Sequence, residues 1–156
     1  MQEREMAMAT SLYRTDFPAW AYQQAALLKD RKFDQVDWDD LIEEIEDMGN
    51  RHHDKLMSRM QVLIMHLLKW QFQPERQSIS WQKTIKEQRR KIDDAFDDMP
   101  SLKADLNKPE WVQKAWLRSV RAAADETDLP KNTFPTQPIW TMEQILDDDF
   151  FPSLNQ

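Results

Sequence analysis

The sequence predicts an all-α protein, a single compact bundle of about five helices. Its 156 residues fit one domain. The chain has one glycine, Gly49, whereas hairpins and tight turns draw heavily on glycine. Alternating runs of Val, Ile, Thr and Tyr, which are typical of strands, are also missing. We expect residues 1–12 to be a disordered tail and residues 13–156 to form a single helical domain.

The first predicted helix begins after Asp16, whose side chain can cap it. Pro18 falls in the first turn, where a proline is tolerated. The acidic, turn-like residues 30–37 end this helix.

A long second helix is predicted over residues 37–70, with Asp37 as its cap. At 1.5 Å per residue it would be about 50 Å long, whereas a compact domain of this size is about 40 Å across. Glycine costs about 1 kcal/mol inside a helix, so we expect the helix to be bent or broken near Gly49. Its apolar stripe comprises Leu41, Ile42, Ile45, Met48, His52, Leu56, Met60, Leu63, Leu67 and Leu68.

Cap and breaker residues place the remaining helices. Ser78 or Ser80 can cap a third helix, which ends at Pro100. Residues 107–110 and 141–144 have the capping-box pattern that opens a helix. They predict a fourth helix and a short fifth one.

Charge and composition restrict the classes of function. The net charge of −7 disfavours nonspecific binding to nucleic acid or to an anionic membrane. The chain has no cysteine, so thiolate metal sites and cysteine nucleophiles are excluded. The most apolar stretch, residues 62–68, is far shorter than the ~20 residues that span a bilayer. The N-terminal residues lack the apolar run of a signal peptide, so we expect a cytoplasmic protein with no membrane partner.

Eight sequence segments together resemble a known family. They are DW (37–38), LIEEIEDMG (41–49), HLLKWQFQPER (66–76), SW (80–81), TIKEQR (84–89), FP (134–135), WT (140–141) and ILDDDFFP (145–152). In combination they resemble the bacterial family called domain of unknown function 29, and the resemblance extends over nearly the whole chain, from about Tyr13 to Pro152. The resemblance implies an all-helical fold. The family has no established activity, so the resemblance assigns no site residue.

The acidic block is the first candidate for chemistry. Residues 34–47 contain eight carboxylates and no basic residue. Glu43 and Glu46 are neighbours on a helix, and paired carboxylates can hold Mg²⁺ or Mn²⁺. These two residues and His52 are the metal-ligand candidates, although the Glu-x-x-His spacing of di-iron bundles is absent. A solvated acidic face is the favoured interpretation, and a metal-dependent enzyme using Glu43 to Asp47 is the alternative.

The basic stretch from Lys83 to Lys91 carries five cations and one carboxylate. Such a stripe can contact phosphates, so nucleic-acid binding is a second alternative. Because the protein is acidic overall, we favour pairing of this stretch with the acidic block, within one chain or between subunits.

Arg89 falls on the apolar stripe of the third helix, between Ile85 and Ile92. A buried guanidinium needs a carboxylate or carbonyl partner. We therefore predict that Arg89 pairs with Glu44 or Glu46 across a helix interface.

The turn after the second helix gathers aromatic, amide and guanidinium groups. Its binding candidates are Trp70, Gln73, Arg76 and the nearby Trp81. The favoured interpretation is a turn that Trp70, Phe72 and Trp81 anchor in the core, and a binding patch is the alternative.

No phosphate-binding loop, nucleophile elbow or zinc-protease motif occurs in the chain. The sequence therefore favours a non-enzymatic module that binds another protein or itself and uses no cofactor. Its role as a regulator, or as an inhibitor or antitoxin-like partner, is a hypothesis.

Overall fold

The computed structural model describes residues 12–154, and these are arranged in helices without a β-strand. The predicted all-α fold is confirmed. The tail predicted for residues 1–12 lies outside the described residues, except for Leu12, which is helical. The α-helices are α1 (Phe17–Lys29), α2 (Trp38–Phe72), α3 (Ile79–Asp98), α4 (Pro109–Thr127) and α5 (Met142–Leu146). Short 3₁₀ helices cover Phe33–Gln35, Pro74–Arg76, Pro100–Asn107 and Lys131–Thr133.

Helix α2 is continuous over 35 residues, close to the predicted range of 37–70. Met48, Gly49 and Asn50 are all helical, so the break expected near Gly49 does not occur. The apolar pattern keeps one phase on both sides of Gly49, and a single glycine lowers helix stability without interrupting the hydrogen-bond ladder. Within residues 12–154, no helix combines the length and the apolar character needed to cross a bilayer.

Side-chain caps fix the start of three helices. Asp16 accepts a hydrogen bond from the Ala19 amide, and Ser78 accepts one from the Trp81 amide. At α5, Thr141 and Gln144 form the predicted capping box.

The capping box predicted at residues 107–110 is wrong. Helix α4 begins at Pro109, its N-cap is Lys108, and no side chain caps it. Proline at the first helical position has no amide hydrogen to satisfy and has a preset φ angle, so the helix can begin there without a box.

The chain contains two compact units, Met1–Arg51 and His52–Gln156. The first unit holds α1 and the first part of α2, and its buried side chains include Trp20, Gln24 and Val36. The Oε1 atom of Gln24 accepts the Asp37 amide at 2.8 Å. Polar groups therefore share the interior of this unit with apolar ones.

The second unit has a larger apolar interior, which the later part of α2 shares with α3, α4 and the C-terminal segment. The Trp116 ring lies edge-on to Trp140, 5.3 Å between centroids, and its Nε1 atom donates to the Pro135 carbonyl at 2.8 Å. The fully buried apolar residues include Met60, Leu63, Ile64, Leu67, Leu68, Ile85, Ile92, Ala115, Trp116, Ala123 and Ile145.

Candidate interaction surface

The first part of α2 exposes large apolar side chains on one face of the first unit. Trp38 is 45% exposed, Ile42 49%, Ile45 57% and Met48 59%. Their three- and four-residue spacing places them along one side of the helix. We call these four residues the exposed stripe. Soluble proteins usually bury such a continuous face, and exposed apolar patches mark binding sites.

Gly49 continues the exposed stripe, since it lies four residues after Ile45. A Cβ atom built at Gly49 would meet nothing within 4 Å. The helix backbone is therefore open to a close approach at this end of the exposed stripe.

A row of carboxylates runs beside the exposed stripe. Asp39, Glu43 and Glu46 follow each other at four- and three-residue spacing, and all three are exposed. We call them the acidic row. None of the ion pairs among residues 12–154 involves one of these three carboxylates. Their charge is therefore available to a binding partner.

Other carboxyl groups of the same unit are engaged within it. The Tyr13 hydroxyl donates to Glu44, and this hydrogen bond raises the pKa of Tyr13. The carboxyl group of Asp37, within hydrogen-bonding reach, raises the pKa of Asp40 to about 6. The carboxylates thus differ: Glu44 accepts from Tyr13 and Asp40 lies beside Asp37, whereas the acidic row forms no ion pair with residues 12–154.

Aromatic contacts hold the beginning of α2 in place. The Trp38 indole donates to the Phe33 carbonyl at 2.8 Å, and the two rings are 6.4 Å apart. Tyr13 packs edge-on against the buried Trp20, with centroids 4.6 Å apart. The contacts of Trp38 with Phe33 hold the first turn of the exposed stripe while leaving much of Trp38 accessible.

The chain matches the family described as "Domain of unknown function DUF29" over residues 12–151. The chain belongs to this family. No curated protein and no solved structure matches the chain. Membership in the DUF29 family agrees with the resemblance seen in the sequence, and the family description assigns no activity.

The four binding candidates of the turn after α2 differ in their exposure. Trp70 is half-buried and packs on Phe151 with centroids 5.1 Å apart. Gln73 is buried, Arg76 is exposed, and Trp81 is half-buried. Trp70 therefore packs against the core of the second unit, and Trp81 lies beside the Lys69 ammonium group.

Lys69 is a buried charged residue of the same segment, and its burial was not predicted from the sequence. Its ammonium group pairs with Glu126 at 2.7 Å and lies 4.5 Å from the centroid of the Trp81 ring. The adjacent His66 is half-buried, and burial lowers its pKa. The signal in the sequence was a lysine placed directly after the apolar residues 62–68.

Arg89 is buried as predicted, and its acceptors are carbonyl groups. Its Nε atom donates to Ile145 O at 2.8 Å and its Nη2 atom to Phe150 O at 2.7 Å. A third, longer contact joins Nη1 to Asp148 O at 3.4 Å. Each guanidinium nitrogen therefore has a backbone acceptor, and the predicted carboxylate partners, Glu44 and Glu46, do not appear among them. Burial lowers the pKa of Arg89, and the nearby carboxylates from Asp147 to Asp149 oppose this shift.

The metal-ligand candidates gain no geometric support. Glu43, Glu46 and His52 are all exposed, although His52 lies on the apolar stripe of the helix. Among residues 12–154, no group of three or more His, Cys, Asp or Glu side chains is placed to hold a metal ion.

His53 forms a pair that the sequence did not indicate. Its Nδ1 atom lies 2.6 Å from Oδ2 of the buried Asp105, and Lys108 approaches the other carboxylate oxygen at 3.1 Å. Burial alone raises the pKa of Asp105, but the hydrogen bonds from His53 and Lys108 outweigh burial and lower it. The group stabilises the ionised carboxylate inside the second unit.

The basic stretch of α3 forms ion pairs within its own helix. Lys91 pairs with Glu87 at 3.2 Å and Arg90 with Asp94 at 3.5 Å. A groove of about 570 Å³ lies beside it, and its lining mixes cations and carboxylates: Lys86, Arg89, Arg90, Ile92, Asp93, Phe96, Leu146, Asp148 and Asp149. Such a mixed lining does not select an anion such as a phosphate backbone.

Proposed function

We propose that this protein is a cytoplasmic, non-enzymatic interaction module that binds another protein through the exposed stripe of α2. The observation that supports the proposal is the exposure of Trp38, Ile42, Ile45 and Met48 on one face of a helix. Leaving these side chains in water is unfavourable by roughly 25 cal/mol for each Å² of apolar surface. A protein partner that covers the face removes this cost.

The neighbouring groups suit a binding role. Trp38 is anchored through its indole nitrogen, so part of the ring can contact a partner with little loss of side-chain freedom. Tryptophan is also enriched among residues that dominate binding energy at protein interfaces. A regulatory role, including inhibition of the bound protein, would follow from covering that partner's surface.

The test is affinity capture from a lysate of the native host, with bound proteins identified by mass spectrometry. The exposed stripe is weakened by the double substitution Ile42→Ala and Ile45→Ala. The matched control is Ile79→Ala with Leu117→Ala, which removes exposed apolar side chains from the second unit. Alanine retains helix propensity, so circular dichroism should show unchanged helix content for both variants.

We expect a partner that binds the unmodified chain and the control. Recovery of that partner should fall at least tenfold with the Ile42/Ile45 variant, which corresponds to about 1.4 kcal/mol. Equal recovery with all three proteins would contradict the proposed surface. An empty capture with the unmodified chain would contradict the proposed function.

A further inference from the structure

We propose that the occupant of the exposed stripe is a basic amphipathic helix of the partner protein. This inference rests on the proposed function, and it specifies the chemistry of the partner: an apolar seam flanked by Lys or Arg. The partner's apolar seam would contact the exposed stripe, and its Lys or Arg side chains would pair with the acidic row.

The apolar residues of the exposed stripe have a spacing that suits helix packing. Trp38, Ile42, Ile45 and Gly49 follow each other at intervals of four, three and four residues. This is the spacing with which one helix presents a seam to another, and helix recognition uses such anchors. From Trp38 to Gly49 the seam is about 17 Å long, or three helical turns. The open space at Gly49 allows the partner to approach the backbone closely at one end.

The acidic row lies beside that seam and carries the negative charge that a basic partner would neutralise. In paired helices, the charges that flank the apolar seam determine which partner is accepted. The acidic row forms no ion pair with residues 12–154. A partner with Lys or Arg at its flanking positions would neutralise the row, whereas a partner with Asp or Glu there would be repelled.

Helix-dipole stabilisation explains only part of the acidic row. A carboxylate in the first turn of a helix is favoured by the dipole, and Asp39 occupies that turn. The effect falls off beyond the first turn, so it does not explain Glu46, which is eight residues inside α2.

A second copy of this chain is the less favourable occupant. A two-fold interface places one surface patch against the same patch of the other subunit. Two copies joined antiparallel through the exposed stripe would therefore bring one acidic row towards the other, and a parallel pair would place the rows on opposite flanks with no cation supplied to neutralise them. Like charges facing each other across an interface oppose association.

The test uses two synthetic helical peptides of identical apolar seam. One carries Lys at the flanking positions and the other carries Glu, and binding to the full chain is followed by fluorescence anisotropy at low and high salt. We expect the basic peptide to bind at least tenfold more tightly than the acidic one, with an affinity that falls as salt rises. The Ile42→Ala, Ile45→Ala variant should lose this binding.

The decisive variant neutralises the acidic row by Asp39→Asn, Glu43→Gln and Glu46→Gln. It should lower the affinity for the basic peptide at least fivefold and reduce the salt dependence of that affinity. The matched control, Asp97→Asn, Asp98→Asn and Glu110→Gln, makes the same change in net charge at exposed sites of the second unit. It should bind the basic peptide as the unmodified chain does.

Three results would overturn the inference. They are equal binding of both peptides, an equal loss of affinity in the control triple variant, and a dimer in light scattering that the Ile42→Ala, Ile45→Ala variant abolishes. The captured partner separates the two proposals. Capture that depends on Ile42 and Ile45 but not on the acidic row would sustain the proposed function and reject the basic helix. Capture that depends on neither would reject both.

Discussion

The two parts of α2 have the same apolar periodicity and opposite surroundings. In the second unit, the stripe residues from Leu56 onwards are buried, and Leu63 and Leu67 are fully buried. In the first unit, Ile42 and Ile45 stand in the same phase of the same helix and are about half exposed. Periodicity therefore identifies which face of a helix is apolar, and the remainder of the chain decides whether that face is covered.

The interiors of the two units also differ in how completely their buried polar groups are paired. The second unit pairs its buried charges, as with Lys69 and Glu126. Among residues 12–154, three buried side-chain atoms of the first unit lack a hydrogen-bond partner, namely the Trp20 indole nitrogen, the Gln24 amide nitrogen and Asp37 Oδ2, whereas the second unit has one, Gln88 Oε1. Unsatisfied buried polar groups reduce stability. We therefore expect the first unit to be the less stable of the two.

The largest expected difference in stability is between isoleucine truncations in the two parts of α2. Ile64→Ala should destabilise the protein by about 2–5 kcal/mol, because Ile64 is fully buried and truncation leaves a cavity. Ile45→Ala should change stability by less than about 0.5 kcal/mol, because Ile45 is exposed. Urea unfolding measures both values. A similar loss for both variants would mean that Ile45 is covered in solution, and the contrast would fail.

A second pair of variants tests the charged interior of the second unit. Arg89→Met should cost about 2–4 kcal/mol, since the carbonyl acceptors of Arg89 would lose their donor and each unsatisfied group costs about 1–3 kcal/mol. Arg90→Met should have little effect, because its ion pair with Asp94 is exposed. The measurement is urea unfolding together with hydrogen exchange at residues 147–151. Unchanged exchange in the Arg89 variant would show that the guanidinium does not hold this segment.

The two units should also respond to pH in opposite directions. The pKa of Asp40 is raised to about 6, so its protonated form stabilises the first unit at low pH. That contribution is lost as pH rises through about 6. The pKa of Asp105 is lowered, so its contribution to the second unit is present above the ordinary carboxyl range. It is lost as pH falls through the lowered pKa.

Thermal unfolding between about pH 3 and about pH 8 resolves these contributions when variants are compared. Asp40→Asn should remove the change near pH 6, and Asp105→Asn should flatten the acid side of the profile. If both substitutions changed stability on the same side of the pH profile, the proposed opposition between the units would be wrong.

The smallest expected effect is a gain. Gly49→Ala should stabilise the protein by about 0.5–1 kcal/mol, because alanine has the higher helix propensity. The added methyl group meets nothing within 4 Å. Scanning calorimetry should show a rise of about 2–4 °C per kcal/mol in a chain of this size. A lower melting temperature would indicate that the helix departs from regular geometry at Gly49.

Sequence patterns predicted the helices well because each depends on local signals. The bounds of α2 and the capping box of Thr141 and Gln144 follow from apolar phase and cap residues alone. The burial of Arg89 also followed from its position on an apolar stripe. Its acceptors did not, because backbone carbonyls carry no residue-specific signal and these belong to an irregular segment.

The candidate surface was only half predictable for a related reason. The sequence showed the apolar stripe and the carboxylates beside it, including Glu43 and Glu46. It did not show that Ile42 and Ile45 remain uncovered, since exposure depends on which other elements pack there. The pair of His53 and Asp105 was unpredictable as well, because it joins residues 52 positions apart.

The contacts of Arg89 have a consequence for folding of the second unit during synthesis. Its acceptors follow it by 56 to 61 residues along the chain. A ribosome that adds about 5–20 residues per second therefore makes Arg89 several seconds before it makes them. During that interval the native carbonyl acceptors of the guanidinium do not yet exist, so the native packing of the apolar face of α3 around it cannot form. The second unit thus reaches its final packing only after translation has passed Phe150.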